Sequence, residues 1–231
     1  MLERTLLTSK NKEILIKSES EALETHFSNP NNYADVVLNQ INHDRFYDRL
    51  FAEKNDLTVI DFGANIGLFS LYVHDSAKIV YSVEPTPEHF NNLKETTKDY
   101  PNIYPINIAL SDKNEIIDFY VCRNNTTMNS LANRYGESFQ IKGMTLDSLL
   151  TELGLSHVDF VKCDIEGSEM IALTKETIEP VKDKIDFWFL EVHATDVSIQ
   201  KNRENLSNIF RDLGYKVEAS RIDVLLAYKE Q

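Results

Sequence analysis

The sequence predicts an α/β fold in which a mostly parallel sheet is covered by helices. From Asp56 onward, short apolar runs such as "LTVIDF" and "AKIVYSV" alternate with amphipathic runs such as "PEHFNNLKETTKDY". This alternation is typical of βαβ units, because two parallel strands are joined by a crossover that is usually helical. The last two strand-like runs, "YKVEAS" and "RIDVLLAYK", have no room for a helix between them. They predict an antiparallel hairpin at the end of the chain.

The remaining segments are interpreted from their composition and end signals. Residues 1–55 lack the βα pattern and are predicted to form a mostly helical N-terminal extension, so that residues 56–231 form the main domain. Residues 111–141 are too short for a core of their own and are predicted to be a hairpin or loop insertion. "TLDSLLTELGL" reads as a short helix with Thr145 as its N-cap. Gly214 is expected to end the last long helix.

Composition limits the class of protein. A chain of 231 residues with 42% hydrophobic content can bury one substantial core, and its net charge of −13 disfavours a nucleic acid partner. Cys122 and Cys163 lie in strand-like surroundings, so that neither a disulfide scaffold nor a zinc site is indicated. No window approaches the roughly 18 apolar residues of a membrane span, and the first residues lack the apolar segment of a signal peptide. These features predict a cytoplasmic protein, and they leave a homo-oligomer open.

A glycine turn follows the first strand of the predicted sheet. In "DFGANIG", Gly63 and Gly67 permit a tight strand-to-helix turn, while Asn65 stands where a dinucleotide fingerprint carries its middle glycine. Glu84 ends the next strand, where an acid hydrogen-bonds ribose hydroxyls in nucleoside-binding α/β folds. The order strand, turn, helix, strand, acid predicts a nucleoside cofactor rather than a dinucleotide. Alternatively, the glycines only make a turn and Glu84 caps the helix after it.

A second polar cluster is predicted at the ends of two later strands. Asp164 and Glu166 follow "HVDFVKC", and Glu191 and His193 follow "KIDFWFL". Ligands of open α/β sheets bind beyond the carboxyl ends of the strands. His193, with an ordinary pKa near 6.5, is a candidate general base for a hydroxyl. Alternatively, Asp164 and Glu191 hold Mg²⁺, which prefers oxygen ligands, or the four side chains only form a turn and pair with each other.

Six consecutive motifs give the chain a family resemblance. "VIDFGANIGLFSLY", "YSVEPTPEHFNNLK", "NIALSD", "TLDSLL", "VDFVKCDIEGSEMIAL" and "WFLEVHA" resemble, in order and spacing, the FkbM-type S-adenosylmethionine-dependent methyltransferases. The resemblance is strong over about residues 55 to 195. It implies a class I methyltransferase fold, a Rossmann-like three-layer sandwich around a seven-stranded, mostly parallel sheet of order 3-2-1-4-5-7-6 with an antiparallel terminal hairpin.

The resemblance also implies roles for individual residues. The turn would hold the methionine part of S-adenosyl-L-methionine, Glu84 its ribose, and the segment after the third strand its adenine; the residues concerned are Asp61, Gly63, Asn65, Gly67, Glu84, Asn107, Ala109 and Asp112. Asp164, Glu166, Glu191 and His193 would face the transferable methyl group, with His193, Asp164 and Glu191 as catalytic residues and Asp164 also touching the cofactor. Many family members methylate sugar hydroxyls, so that O-methylation of a sugar, a glycan or another small molecule is expected.

The acceptor side is less defined, and two other functions compete. Glu166, Asn129, Ser130 and Arg134 are candidate acceptor-binding residues, although asparagine-rich loops are ordinary in solvent. His43, Asp44, Arg45 and Tyr47 form a further polar cluster, which either covers the cofactor or belongs to a solvated helix face, and the second interpretation is favoured. The alternatives to a methyltransferase are an NAD(P)-dependent oxidoreductase or epimerase and a non-catalytic cofactor-binding partner subunit. Asn65 and the lack of an obvious Tyr-x-x-x-Lys pair weaken the first alternative.

Overall fold

The fold is α/β, with seven strands in a mostly parallel sheet. The computed structural model describes residues 2–18, 34–42, 47–51, 53–121 and 137–230. These residues form two compact units, one ending at Asn107 and the other beginning at Ile108. This division differs from the predicted boundary after residue 55.

The first unit holds three parallel strands of the sheet. They are β3 (Leu57–Phe62), β4 (Ala77–Val83) and β5 (Ile103–Ile106), paired in the order β5-β4-β3. The helices Leu68–Val73 and Pro87–Thr97 make the two crossovers between these strands. The βαβ pattern predicted from the alternating runs is therefore confirmed in this unit.

The N-terminal segment differs from its prediction. Residues 2–18 form an antiparallel hairpin of β1 (Leu2–Leu7) and β2 (Glu13–Ser18), so that a mostly helical segment is wrong here. In β2, Ile14 and Ile16 are buried while Leu15 between them is exposed, which is the two-residue period of a strand. The described helices of this segment are Ala34–Asn42 and Asp48–Phe51.

This segment belongs to the core of the first unit. Thr8 and Ser9 donate their hydroxyls to Asp75, at 2.6 and 2.8 Å, just beyond the helix Leu68–Val73. Tyr47 is 4% exposed and packs edge-on against Phe69. Tyr47 is therefore a core residue rather than part of a solvated face, whereas His43, Asp44 and Arg45 lie outside the described residues.

The second unit holds the other four strands of the sheet. β9 (Val158–Cys163) and β10 (Ile185–Glu191) are parallel, and β12 (Val224–Tyr228) pairs antiparallel with β10. β11 (Lys216–Ala219) lies at the edge, antiparallel to β12, so that the predicted terminal hairpin is confirmed. Within the two units, the strand orders correspond to the predicted segments 3-2-1 and 4-5-7-6.

The second unit also carries its helices and a smaller sheet. Its helices are Leu146–Glu152, Glu169–Ala172, Lys175–Ile178 and Ile199–Asp212, with a 3₁₀ turn at Glu179–Val181. The smaller sheet consists of β6 (Ala109–Leu110), β7 (Ile116–Val121) and β8 (Glu137–Met144), in the order β6-β8-β7. β7 and β8 pair antiparallel, and the residues between them lie outside the described part of the chain.

The predicted helix ends are also confirmed. The Thr145 hydroxyl accepts from the Ser148 N–H, and Gly214, at φ 90°, follows the last long helix.

None of the helices in the part of the chain given above combines the length and the apolar character that crossing a bilayer requires.

Candidate active site

The glycine turn after β3 has a left-handed backbone at three positions. Gly63, Asn65 and Gly67 have φ values of 79°, 52° and 89°. Glycine adopts this region freely, and asparagine is among the side chains that tolerate it best. The N–H groups of Gly63 and Ala64 both donate to the carbonyl of Val83, each at 3.0 Å. The turn is therefore fastened to the end of β4.

Glu84 lies beside this turn, as the sequence predicted. Its side chain is buried, and its carboxylate accepts from the Asn65 N–H at 2.9 Å and from the Thr86 N–H at 2.8 Å. A carboxylate offers about four acceptor sites, of which these two donors use two, and the buried His89 ring lies beside it with Nδ1 3.7 Å from Oε1. Asn107 donates its amide to the carbonyls of Glu84 and Pro85, which supports the same strand end. Glu84 thus ties the turn together and keeps capacity for a hydroxyl-bearing ligand.

The donor and acceptor groups of the turn fit the cofactor that the sequence implies. The side-chain oxygen of Asn65 is buried and has no hydrogen-bond partner among the described residues. A spare acceptor of this kind suits an ammonium group such as that of a methionine moiety. Asp61 is fully buried and accepts from the Ser70 hydroxyl at 2.7 Å, so that it supports the turn from within the core.

Gly67→Ala is expected to be strongly destabilising. A Cβ at this position would lie 2.7 Å from Leu93 Cδ1 and 3.1 Å from Thr97 Cγ2, in addition to the strain of φ 89°. We expect a loss of about 3 kcal/mol in the free energy of unfolding, measured by urea titration. Gly214→Ala is the matched control, since it has φ 90° and open space around its Cβ, and should cost about 1 kcal/mol. Equal losses in the two variants would contradict this packing argument.

The second cluster is formed where β9 and β10 end side by side. Leu190 pairs with Cys163, so that the residues following each strand converge as predicted. His193 Nε2 lies 3.3 Å from Glu166 Oε2 and 3.8 Å from Asp164 Oδ1. One ligand atom from each of Asp164, Glu191 and His193 lies within 4.8 Å of the others.

The cluster contains two charged residues that were not predicted from the sequence. Glu169 is fully buried, and its Oε1 lies 3.0 Å from His193 Nδ1. Lys162 is 5% exposed and donates to Asp164 Oδ2 at 3.1 Å. Lys162 could have been noticed in the sequence, because a lysine inside the apolar run "DFVKC" is unusual. Glu169 could not, because it resembles an ordinary acidic residue of a helix.

The carboxylates determine the protonation of the cluster. Burial disfavours a charged ring, but the hydrogen bond with Glu169 and the surrounding negative charges outweigh it and raise the pKa of His193 to about 10. Burial, followed by the Asp164 charge, raises the pKa of Glu166 to about 9. The Asp164 charge, followed by burial, raises the pKa of Glu191 to about 7.

At neutral pH the His193 ring is therefore an imidazolium. The ordinary histidine pKa assumed from the sequence is wrong at this position, because three carboxylates surround the ring. An imidazolium donates hydrogen bonds and cannot accept a proton. Glu191 is instead the group whose pKa matches neutral pH.

The other predicted site residues lie outside the two clusters described above or outside the described part of the chain. Ala109 is buried in β6, where it pairs with Gly143 in β8. Asp112 is exposed in the turn after β6 and accepts from the Ser111 hydroxyl at 3.3 Å. The candidate acceptor residues Asn129, Ser130 and Arg134 lie outside the described residues, as does Cys122. Cys163 is buried in the core.

Comparisons with known proteins give similar sequences and structures. AMB antimetabolite synthetase AmbE of Pseudomonas aeruginosa is 26% identical, in a match that covers 84% of this chain and 11% of that protein. The chain thus spans only a small part of the length of this relative. Similar solved structures include Aeropyrum pernix fibrillarin with natively bound S-adenosyl-L-methionine, which is 13% identical with a TM-score of 0.48 over 76% of this chain and 66% of that chain. A SAM-dependent methyltransferase from Aquifex aeolicus is 12% identical with a TM-score of 0.48, over 91% of this chain and 98% of that chain.

The family comparison covers both candidate site regions. The model described as "Methyltransferase FkbM domain" matches residues 61–217, from Asp61 near the end of β3 to a point beyond His193. Because this match spans more than half of the sequence, the chain belongs to the FkbM methyltransferase family.

Proposed function

We propose that the chain is an O-methyltransferase that acts on a hydroxyl of a sugar or glycan. The observation that carries this proposal is the cluster at the ends of β9 and β10, where Glu191 has a pKa of about 7. Removing a hydroxyl proton at neutral pH requires a base of about this strength.

In the proposed reaction, bound S-adenosylmethionine would supply the methyl group that the acceptor oxygen takes. The oxygen–carbon bond forms, the carbon–sulfur bond breaks, and Glu191 takes the hydroxyl proton, so that S-adenosylhomocysteine and a methyl ether are the products. The Asp164 charge helps to raise the pKa of Glu191 to about 7, and the imidazolium of His193 donates to the acceptor oxygen and limits the repulsion among the carboxylates. Alignment of the reacting atoms supplies several kcal/mol, and proton removal adds about 10²–10⁴-fold.

The cofactor assignment is part of the same proposal. Asp61, Gly63, Asn65 and Gly67 would hold the methionine part, and Glu84 would accept from the ribose hydroxyls. Asn107, Ala109 and Asp112 stay the predicted neighbours of the adenine, while Glu166, Asn129, Ser130 and Arg134 stay predicted acceptor-binding residues. The spare acceptor of Asn65 and the remaining acceptor capacity of Glu84 support this assignment.

Turnover is expected to rise with pH through about 7 and to fall above about 10. Glu191 must be deprotonated to act as a base, and its raised pKa means that this form grows as the pH passes 7. His193 must stay protonated, and that form is lost above its own pKa of about 10. The measurement is kcat against pH at saturating cofactor and acceptor. Turnover that falls as the pH passes 7 would contradict the role of Glu191.

A metal-assisted version of this mechanism uses Mg²⁺ held by Asp164 and Glu191, with His193 beside them. The ligand atoms of these three residues lie close enough for one ion. Lys162, however, already pairs with Asp164, which favours the metal-free version. We therefore expect dialysis against a chelator to leave turnover unchanged. A loss of activity that added Mg²⁺ restores would establish the metal-assisted version.

Mass spectrometry with isotope-labelled S-adenosylmethionine tests the acceptor class. We expect the label on a hydroxyl oxygen of one member of a panel of sugars and glycans. Because the relative AmbE is named as an antimetabolite synthetase, the panel includes small non-sugar natural products. Label on a nitrogen, or only on a non-sugar molecule, would contradict the proposed acceptor. Tight cofactor binding with no labelled product from any acceptor would favour the non-catalytic partner subunit.

A further inference from the structure

We propose that Glu169 is a positioning residue that holds the His193 ring by Nδ1 and thereby directs Nε2 toward Asp164 and Glu166. Glu169 lies outside the set of residues predicted from the sequence, and it is shielded from solvent below the cluster. Its effect on methyl transfer rests on the function proposed above, whereas its effect on the ring does not.

The backbone fixes the position of the Glu169 carboxylate. Oε1 accepts from the N–H of Ile165 at 3.1 Å and from the N–H of Gly167 at 3.2 Å. These two N–H groups converge because Glu166 and Gly167 have φ values of 55° and 93°, which turn the chain sharply after β9. The oxygen that faces His193 is thus held by the main chain rather than by a flexible neighbour.

The same oxygen lies 3.0 Å from His193 Nδ1. The other oxygen of Glu169, Oε2, is buried and has no hydrogen-bond partner among the described residues. A carboxylate with no exposed surface is costly to bury, and among the described residues Glu169 makes its hydrogen bonds through Oε1 alone. Glu169 therefore interacts with the turn after β9 and with the imidazole ring through one and the same oxygen.

The main chain of His193 is held independently of its ring. Asn202, from the helix Ile199–Asp212, donates its amide to the His193 carbonyl at 2.9 Å. With the carbonyl held by Asn202 and Nδ1 held by Glu169, the ring has one orientation, in which Nε2 lies 3.3 Å from Glu166 Oε2. In many sites a carboxylate binds one ring nitrogen of a functional histidine and thereby fixes the direction in which the other ring nitrogen points.

Nuclear magnetic resonance of the imidazole groups tests this directly, without any acceptor. The wild-type chain should show a His193 Nδ1–H proton protected from exchange with solvent, assigned by its absence in His193→Asn. Glu169→Ala should remove this signal. Glu169→Gln keeps an acceptor for the two N–H groups, so that the fold is retained while the signal moves upfield because the charge is lost. Glu166→Gln is the matched control, since it contacts the other ring nitrogen, and should keep the signal.

Two outcomes would overturn the proposal. One is the absence of a protected Nδ1–H proton in the wild-type chain, and the other is an unchanged signal in folded Glu169→Gln. If Glu169→Ala does not fold, Glu169→Gln decides. With a working acceptor, Glu169→Gln should lower kcat about 10–100-fold without changing the KM for the acceptor or the Kd for S-adenosylmethionine. If no acceptor is methylated, the proposed function fails while the resonance still reports on Glu169.

Discussion

Glu191→Gln is expected to lower turnover by about 10²–10⁴-fold while leaving the affinity for S-adenosylmethionine nearly unchanged. Glutamine has almost the same shape as glutamate but cannot accept the hydroxyl proton. The Asp164 charge and burial raise the pKa of the Glu191 carboxyl to about 7, so that in the proposed reaction it would act as the base at neutral pH. The measurement is kcat with a fixed acceptor, together with calorimetric titration of the cofactor.

The control for this variant is an acid of the same unit outside the cluster. Glu179 is exposed at the 3₁₀ turn, and Glu179→Gln should leave kcat unchanged. Glu191→Gln should also lose the rise of turnover through pH 7. Wild-type turnover in Glu191→Gln would show that another group takes the proton.

His193→Ala is likewise expected to lower turnover with little change in cofactor affinity.

Glu84→Ala should raise the Kd for S-adenosylmethionine by about 10²-fold. The substitution removes the carboxylate that accepts from Asn65 and Thr86, leaving two N–H groups of the turn without their acceptor. Hydrogen bonds to a charged group contribute about 1.5–3 kcal/mol each, and the ribose contacts would be lost as well. Calorimetric titration of the cofactor gives the Kd, and circular dichroism checks that the variant is folded.

Glu88→Ala provides the comparison for Glu84→Ala. Glu88 is an exposed acid in the first turn of the helix Pro87–Thr97, only four residues along the chain. Its removal changes the local charge by the same amount without touching the glycine turn. Similar losses of affinity in both variants would mean that charge alone, rather than the contacts of Glu84, governs cofactor binding.

The parts of the fold that could be predicted have regular patterns of burial. β3 and β10 are nearly continuous apolar runs, as strands covered on both faces require, and the Thr145 cap and Gly214 follow directly from side-chain and backbone chemistry. The hairpin of β1 and β2 was missed for a physical reason. Its turn at residues 8–12 contains no glycine, and Asn11 takes the left-handed conformation there instead.

Only the site residues that lie at strand ends or in local sequence motifs could be predicted. Glu84 and the glycine turn were brought together by the order of the elements, which the sequence displays. The contact between Glu169 and His193 depends on the left-handed conformations of Glu166 and Gly167 and on the pairing of β9 with β10. The pKa of His193 depends on three carboxylates that only the folded chain assembles around it.

The central claim is that the turn from Gly63 to Gly67, together with Glu84, binds S-adenosylmethionine. Isothermal titration calorimetry of the wild-type chain with S-adenosylmethionine, S-adenosylhomocysteine and NAD in parallel tests it most directly. We predict that the first two bind with one molecule per chain, that Glu84→Ala weakens both, and that NAD gives no binding heat. Binding of NAD in place of S-adenosylmethionine, or no binding of S-adenosylmethionine at all, would contradict the account.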